Sequence, residues 1–304
     1  MNNNSICDTP SVKKMEAVVA FVDICGFKEF LEKDENKASE ALLSLNNKLT
    51  KCIKYYETSC KSEYISFQQF SDSVYIWYEC NKNDENIKIT HLFTIISILQ
   101  YAMFVEYGLC LRGGINKGPI IVTKTLSGLS VSEAYRLESK IAEWCRVAIS
   151  DEIIKLFSQK IREKYIYNDR NDSHCTVNFL NIMCSLYEHR YAPYEILDAY
   201  RKKIVPDIYD EENKRYFLSQ KEQKTLGDYQ ETTKILLRYC DLISYFNLIC
   251  TQYKCYNQII SAPFVPNTLL SKKQFEKHLA EYDGKNKPQI EIALNSMLNT
   301  FDKR

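Results

Sequence analysis

Apolar positions along the chain alternate between two spacings. Ala17-Val-Val-Ala-Phe-Val22 is an unbroken apolar run of strand length, closed by Asp23 and Gly26, and it predicts a buried strand. From Phe27 onward Phe30, Leu31, Ala38, Ala41, Leu42, Leu45, Leu49 and Ile53 recur at helical spacing, predicting a long helix with a break near Asp34. Tyr64 to Phe70 and Val74 to Tyr78 read as two strands around Ser71-Asp72-Ser73, a hairpin with Asp72 at its tip. Leu92, Ile95, Ile96, Leu99 and Met103 mark the inward face of a second helix. Leu109 to Ile115 reads as a strand, with Pro119 to Thr123 as its hairpin partner and Gly118 in the turn between them. Gly128 opens a third helix that can run to Val147, with Ser130 as its cap and Glu133 completing a capping box. A short strand at Ala148 to Ser150, a helix from Asp151 to Lys164 and a closing strand from Cys175 to Ile182 follow.

The order strand, helix, hairpin, helix, hairpin, helix predicts an α/β or α+β sandwich with helices laid over a sheet. Composition then changes. Six of the eight glycines lie between Gly26 and Gly128, while five of the seven prolines follow residue 183. The later stretch shows helical spacing (Ile235, Leu236, Tyr239, Leu242, Ile243, Phe246, Ile249) and bends at Pro193, Pro206, Pro263 and Pro266. Residues 1–183 are therefore expected to form one domain and 184–304 a helical extension of unknown role.

Bulk properties exclude several classes. The formal charge is +1, so no broad electrostatic footprint for nucleic acid or an anionic membrane is expected. The opening Met1-Asn-Asn-Asn-Ser5 lacks a signal-peptide pattern, and the apolar run from Leu92 to Val105 is short for a membrane span. Twelve cysteines are present without a Cys-x-x-Cys pair. The expectation is reduced thiols, many buried, in a cytoplasmic protein. His91, His174, His189 and His278 show no ligand spacing and read as surface or packing residues.

The chemistry gathers at the first strand's end. Asp23 is presented at its C-terminal edge, and the backbone amides of Ile24, Cys25, Gly26 and Phe27 turn toward a helix, an arrangement suited to phosphate. With the hairpin laid beside that strand, Asp72 joins Asp23. Two carboxylates next to a phosphate-binding turn make a divalent metal site.

Four segments, Phe21-Val-Asp23-Ile-Cys-Gly-Phe27, Phe70-Ser-Asp72-Ser, Arg112-Gly-Gly-Ile-Asn-Lys-Gly118 and Gly128-x-x-Val131-x-x-Ala134-x-Arg136-Leu-Glu138, together resemble the catalytic domain of class III nucleotidyl cyclases across residues 15–183. The resemblance implies a ferredoxin-like βαββαβ core with the C-terminal helical extension appended. It also implies that the fold class is α+β, with a head-to-tail homodimer, composite active sites, and cyclisation of a nucleoside triphosphate by two magnesium or manganese ions per site. Carried over by position, Asp23, the Ile24 carbonyl and Asp72 hold the metals. Ile24, Cys25, Gly26 and Phe27 cradle the β- and γ-phosphates, and Arg112 faces the triphosphate. Arg136 of the other protomer stabilises charge at the α-phosphate, with Ser132 where the family usually has the ribose-orienting Asn.

The base-reading positions depart from the family. Gln68 replaces the usual Lys, and Thr125 occupies the partner position. Both side chains can donate and accept, so neither the usual adenine nor the usual guanine code is present. Phe67, Phe70 and Tyr135 add bulk that favours a smaller base. The combination resembles the bacterial pyrimidine cyclases of the Pycsar anti-phage system, which make cyclic CMP or cyclic UMP for a separate effector. The competing readings are an adenylate cyclase with atypical base contacts and a degenerate cyclase domain acting as a nucleotide sensor.

Overall fold

The computed structural model describes residues 12–59, 65–81, 83–142, 145–168, 174–186, 192–204 and 241–260. The strand and helix order is β1 (Lys13–Ile24), α1 (Phe27–Lys33), α2 (Glu35–Ser59), β2 (Ile65–Phe70), β3 (Ser73–Glu79), α3 (Glu85–Tyr107), β4 (Leu111–Val122), β5 (Leu126–Ser127), α4 (Leu129–Lys140), β6 (Val147–Ile149), α5 (Asp151–Leu156), α6 (Gln159–Tyr165), β7 (Ile166–Asn168), β8 (Cys175–Val177) and α7 (Phe179–Leu186). The sheet runs β2-β3-β1-β4-β6-β8-β7, with β5 added to β4. Its first four strands, linked by α1/α2 and by α3, are the ferredoxin-like βαββαβ arrangement in an α+β fold.

Two 12-residue strands form the spine. β1 pairs with β4 over its full length, from Lys13↔Val122 to Ile24↔Leu111, and with β3 on its other side, from Ala17↔Glu79 to Asp23↔Ser73. Alternation then assigns the faces. Ala17, Val19 and Phe21 join Ile120 and, from α4, Val131 and Ala134 in one buried cluster. Val18, Ala20 and Val22, none more than 1% exposed, belong to the opposite face, over which α3 lies. Apolar on all sides, α3 is long and apolar enough to cross a membrane by length and composition. It packs instead against the sheet, α2 and α7, as the core helix of a sandwich does.

Local chemistry explains the helix boundaries. Asp34 ends α1 in an extended conformation and its Oδ1 accepts from the Lys37 amide at 3.0 Å, capping α2. This is the expected break. Gly108 closes α3 in the left-handed region, its amide reaching Met103 and Phe104 carbonyls.

Several expectations are corrected. No turn forms at Gly118: β4 continues through it because β1 offers twelve consecutive partners. The chain reverses instead at Thr123–Thr125, where the Thr123 hydroxyl accepts from the Thr125 amide at 3.1 Å. The third helix stops at Lys140, short of Val147, and its cap is Gly128. Ser130 is buried within the first turn, its hydroxyl 3.4 Å from Asn116 Nδ2, and Glu133 pairs with Arg136, so no capping box forms. The helix expected over Asp151–Lys164 divides at Phe157-Ser158 into α5 and α6. The closing strand ends at Val177, after which α7 begins at Phe179. β7 was not anticipated. Cys110 and Cys145 are disulfide-bonded rather than reduced, because the parallel pairing of β4 with β6 brings the residues preceding each strand to a Cα separation of 4.9 Å. Cys52, Cys80, Cys175, Cys250 and Cys255 carry free thiols.

The chain divides into two compact units, one ending at Ile196 and the other starting at Leu197. In the second, residues 241–252 are helical, with Leu242, Ile243, Phe246 and Ile249 buried. Tyr200 stacks on Phe246 with ring centroids 6.0 Å apart, and the Asn247 side chain accepts from the amide and donates to the carbonyl of Ile260. Tyr64, Pro206, Ile235, Leu236, Tyr239, Pro263, Pro266, His189 and His278, which figured in the sequence reading, lie outside the described residues.

Candidate active site

Everything at the site follows from where β1 ends. Asp23 stands directly across from Ser73 of β3 and from Arg112 of β4. Residues opposed in an antiparallel pair share a face, so all three side chains emerge on the side covered by α4. The Ser73 hydroxyl donates to Asp23 Oδ1 at 2.7 Å, and Arg112 donates to Oδ2 from Nη2 at 3.1 Å and from Nε at 3.3 Å. Asp72 precedes Ser73 in the two-residue turn at the end of β2 and β3. Among the described residues its carboxylate makes no ion pair or hydrogen bond.

Beside Asp23 the chain turns through Cys25 and Gly26 into α1. The Cys25 amide donates to the Cys110 carbonyl at 2.9 Å, tying the turn to the start of β4. Gly26 adopts φ 70°, a left-handed conformation that a side chain disfavours. Ile24 and Phe27 are buried on either side.

The glycine pair after Arg112 brings α4 against the sheet. A Cβ on Gly114 would lie 2.2 Å from the Ala134 carbonyl oxygen and 2.5 Å from Leu137 Cβ, and one on Gly113 would lie 2.4 Å from the Phe21 carbonyl oxygen. This approach delivers Glu138 to Arg112: the carboxylate is 3% exposed, with Oε1 2.6 Å from Nε. Arg112 thus stands between two carboxylates. Burial alone pulls its pKa down, but the Cys25 thiol, Glu138 and Asp23 outweigh that and hold it above its usual value. Burial pushes the Glu138 carboxyl up, Arg112 opposes this, and Asp23 adds to it. The sequence reading assigned Glu138 no role. Its position two residues after Arg136, on the other side of the same helix, was the available signal.

Arg136 is half-exposed and makes a bidentate pair with Glu133 at 2.7 Å. That bond is the main reason Glu133 is held below the usual carboxylate range. Ser132, one turn earlier on the same face, is exposed. Arg136 and Glu133 line a cleft of about 320 Å³ with Asn116, Ser150, Asp151 and His174 among its walls. Arg136 and Ser132 are thus brought together, but on the side of α4 away from Asp23.

The two base-reading candidates also meet. Gln68 Nε2 lies 3.5 Å from the Lys124 carbonyl, inside the turn that presents Thr125. Gln68 opposes Tyr75, and Tyr75 opposes Phe21 on its other side. Phe21 contacts the Tyr75 ring at 4.6 Å and the Tyr135 ring at 5.4 Å. The aromatic surface next to Gln68 is therefore Tyr75 and Tyr135, with Phe70 two residues along and 48% exposed. Phe67 is corrected: it opposes Ile76, and alternation places it on the reverse face. His91 is a packing residue, its ring 4.3 Å from that of Tyr56 and its pKa lowered by burial.

Among the described residues no three His, Cys, Asp or Glu side chains form a ready metal cage. Magnesium needs none, since it is usually held by one or two carboxylates together with water and substrate phosphates. The oxygen-only donor set of Asp23, Asp72 and the Ile24 carbonyl fits such an ion. Asp72, without a partner among the described residues, is a carboxylate open for coordination.

No family model matches the sequence, and no curated protein matches it. Among solved structures the chain is similar to the guanylyl cyclase domain of the RhoGC fusion protein from the aquatic fungus Blastocladiella emersonii, with 17% identity, 55% of this chain and 96% of that domain covered, and a TM-score of 0.43. It is similar to the guanylyl cyclase Cya2 at 15% identity, over 54% of this chain and 90% of that one, with a TM-score of 0.39. A class III adenylyl cyclase-like ATP-binding protein from Pseudomonas aeruginosa is 17% identical over 62% of this chain and 41% of its own, with a TM-score of 0.40.

Proposed function

We propose that this protein is a nucleotide cyclase that converts CTP or UTP to the 3′,5′-cyclic monophosphate and pyrophosphate. The observation that carries the reading is the register Asp23↔Ser73, which sets Asp72 one position from Asp23 beside the Cys25-Gly26 turn. Asp23, Asp72 and the Ile24 carbonyl would hold two magnesium or manganese ions. Such ions lower the pKa of a ribose 3′-hydroxyl and neutralise departing pyrophosphate.

The chain's own groups supply the rest. The amides of Gly26 and Phe27 donate to β- and γ-phosphate oxygens, the Cys25 amide being committed to the Cys110 carbonyl, and Arg112 adds a guanidinium to the triphosphate. The 3′-oxygen forms a bond to the α-phosphorus, the bond from that phosphorus to the bridging oxygen of the β-phosphate breaks, and the hydroxyl proton passes to water. Arg136 stabilises the charge on the pentavalent phosphorus, and Ser132 orients the ribose. Both face away from Asp23 on their own subunit, which supports a homodimer whose sites combine Asp23 and Asp72 of one chain with Arg136, Ser132, Gln68 and Thr125 of the other. At the base, Gln68 and Thr125 supply neutral donors and acceptors, with Tyr75, Tyr135 and Phe70 limiting its size. The likeness of these positions to the Pycsar enzymes supports a cytoplasmic second-messenger role in anti-phage defence, with the cyclic nucleotide acting on a separate effector.

The test is incubation of pure protein with each of the four ribonucleoside triphosphates and manganese, with products identified by mass. Cyclic CMP or cyclic UMP is expected. No cyclic product from any triphosphate overturns the enzyme reading, and cyclic AMP formed as fast as either pyrimidine product overturns the base reading.

A further inference from the structure

Arg112 carries one Nε–H, and two carboxylates compete for it. The hydrogen is aligned on Asp23 Oδ2 at 3.3 Å. The nearer oxygen, Glu138 Oε1 at 2.6 Å, is buried and receives no aligned hydrogen bond. A buried carboxylate oxygen lacking an aligned donor is costly, and this one lies in the immediate reach of a donor pointed elsewhere. Asp23 is the more exposed partner, at 15% against 3% for Glu138. The arrangement is complete only if Arg112 can turn from Asp23 to Glu138.

We propose that Arg112 is a placeholder cation on Asp23, and that Glu138 is the positioning residue that takes over its Nε–H when a divalent cation claims the Asp23 carboxylate. The inference rests on the metal reading given above. While no cation is bound, Arg112 neutralises Asp23 and keeps two carboxylates from facing each other uncompensated. Once a cation arrives, the guanidinium meets a like charge and leaves Oδ2. Glu138 is fixed on α4 by the contact of Gly114 with Ala134 and Leu137, so it catches Nε and orients the Nη atoms toward the phosphates. Glu138 also contributes negative charge behind the metal site. Its removal weakens cation binding in two ways that share a sign: less attraction for the metal, and a tighter hold of Arg112 on Asp23.

Manganese binding without nucleotide, followed by the electron paramagnetic resonance signal of free Mn²⁺, tests this on the full chain. Glu138→Gln is expected to raise the Mn²⁺ Kd roughly tenfold or more, the range found when groups behind metal ligands are removed. Glu138→Asp, which keeps the charge, is expected to stay near wild type. A purely structural Glu138 would lower the melting temperature of the Gln variant and leave Kd unchanged, and that result overturns the proposal. The wild type provides a second reading that no folding defect can confound. With arginine labelled at Nε, and the Arg112 resonance identified by its loss in Arg112→Lys, saturating Mg²⁺ should shift that resonance. A resonance that does not move at saturation overturns the exchange. No Mn²⁺ binding by the wild type is a different failure, since it removes the metal reading and this inference with it.

Discussion

Arg136 and Glu138 stand two residues apart on α4 and leave it on opposite sides. Arg136 is 52% exposed and paired with Glu133, while Glu138 is 3% exposed against Arg112. Positions i and i+2 of an α-helix are about 200° apart, so one short helix serves two places. Its inner side backs the Asp23 carboxylate, and its outer side carries the exposed Arg136 and Ser132.

Asp23 and Asp72 differ in what they do for the fold, and that separates their variants. Asp72→Ala removes a carboxylate with no partner among the described residues and should change stability by less than about 0.5 kcal/mol. Asp23→Ala leaves Ser73 and part of Arg112 without an acceptor and should cost about 1–2 kcal/mol, discounted for the partial exposure of Arg112. If the proposed metal assignment holds, both variants should lose cyclisation by several orders of magnitude, because each would remove a metal ligand. Chemical denaturation with turnover measured on the same samples checks the pair. Substantial turnover in folded Asp72→Ala would refute the metal assignment.

Gly114→Ala should be more damaging than its size suggests. The added methyl would sit 2.2 Å from the Ala134 carbonyl oxygen and 2.9 Å from the Glu138 amide nitrogen, both backbone atoms of a packed helix. Overpacking of this kind costs about 1–3 kcal/mol. It should also displace Glu138 from Arg112. A melting temperature equal to wild type would show that α4 stands further from β4 than described.

The proposed base-reading surface gives the third test. A pyrimidine triphosphate should be cyclised at least tenfold faster than ATP or GTP, a difference of about 1.4 kcal/mol, because aromatic bulk beside neutral hydrogen-bonding groups rejects a second ring by size. Tyr75→Ala opens the surface that Gln68 faces across β2 and β3. It should narrow the preference by raising the kcat/KM of ATP more than that of CTP or UTP. Competition assays with mixed triphosphates measure the ratio directly. An unchanged ratio would remove Tyr75 from the pocket.

Sequence and structure agree where one physical signal dominates. The unbroken apolar run of β1, the helical spacing after Phe27 and the turn chemistry of Ser71-Asp72 sufficed to place Asp23 beside the hairpin, because a strand buried on both faces has few competing readings. Reading failed where tertiary pairing overrode local signals. Gly118-Pro119 looks like a turn, yet twelve partners on β1 hold it extended. Ser130 and Glu133 have capping spacing, yet Asn116 and Arg136 are the groups they meet. Phe67 and Phe70 looked equivalent until the register put them on different faces. Glu138 was hidden for another reason: its partner lies 26 residues away, through a contact that only the glycine pair permits.

The dimer provides the last prediction, because the proposed site does not close within one subunit. If Arg136 acts on the partner's substrate, Asp72→Ala homodimers lack a metal ligand at both sites and Arg136→Ala homodimers lack the guanidinium at both. A mixed dimer concentrates both defects at one site and leaves the other whole. Two inactive variants should therefore regain activity on mixing, reaching about half the wild-type rate per heterodimer if the sites are independent. Neither Arg136 nor Asp72 is buried, and among the described residues the Arg136 side chain pairs with Glu133 alone, so both variants should fold. Heterodimer formation is measured by mass photometry of differently tagged chains, and activity is read on the same mixture. Heterodimers that stay inactive would mean Asp72 and Arg136 serve one site from one chain, and the composite arrangement would fall.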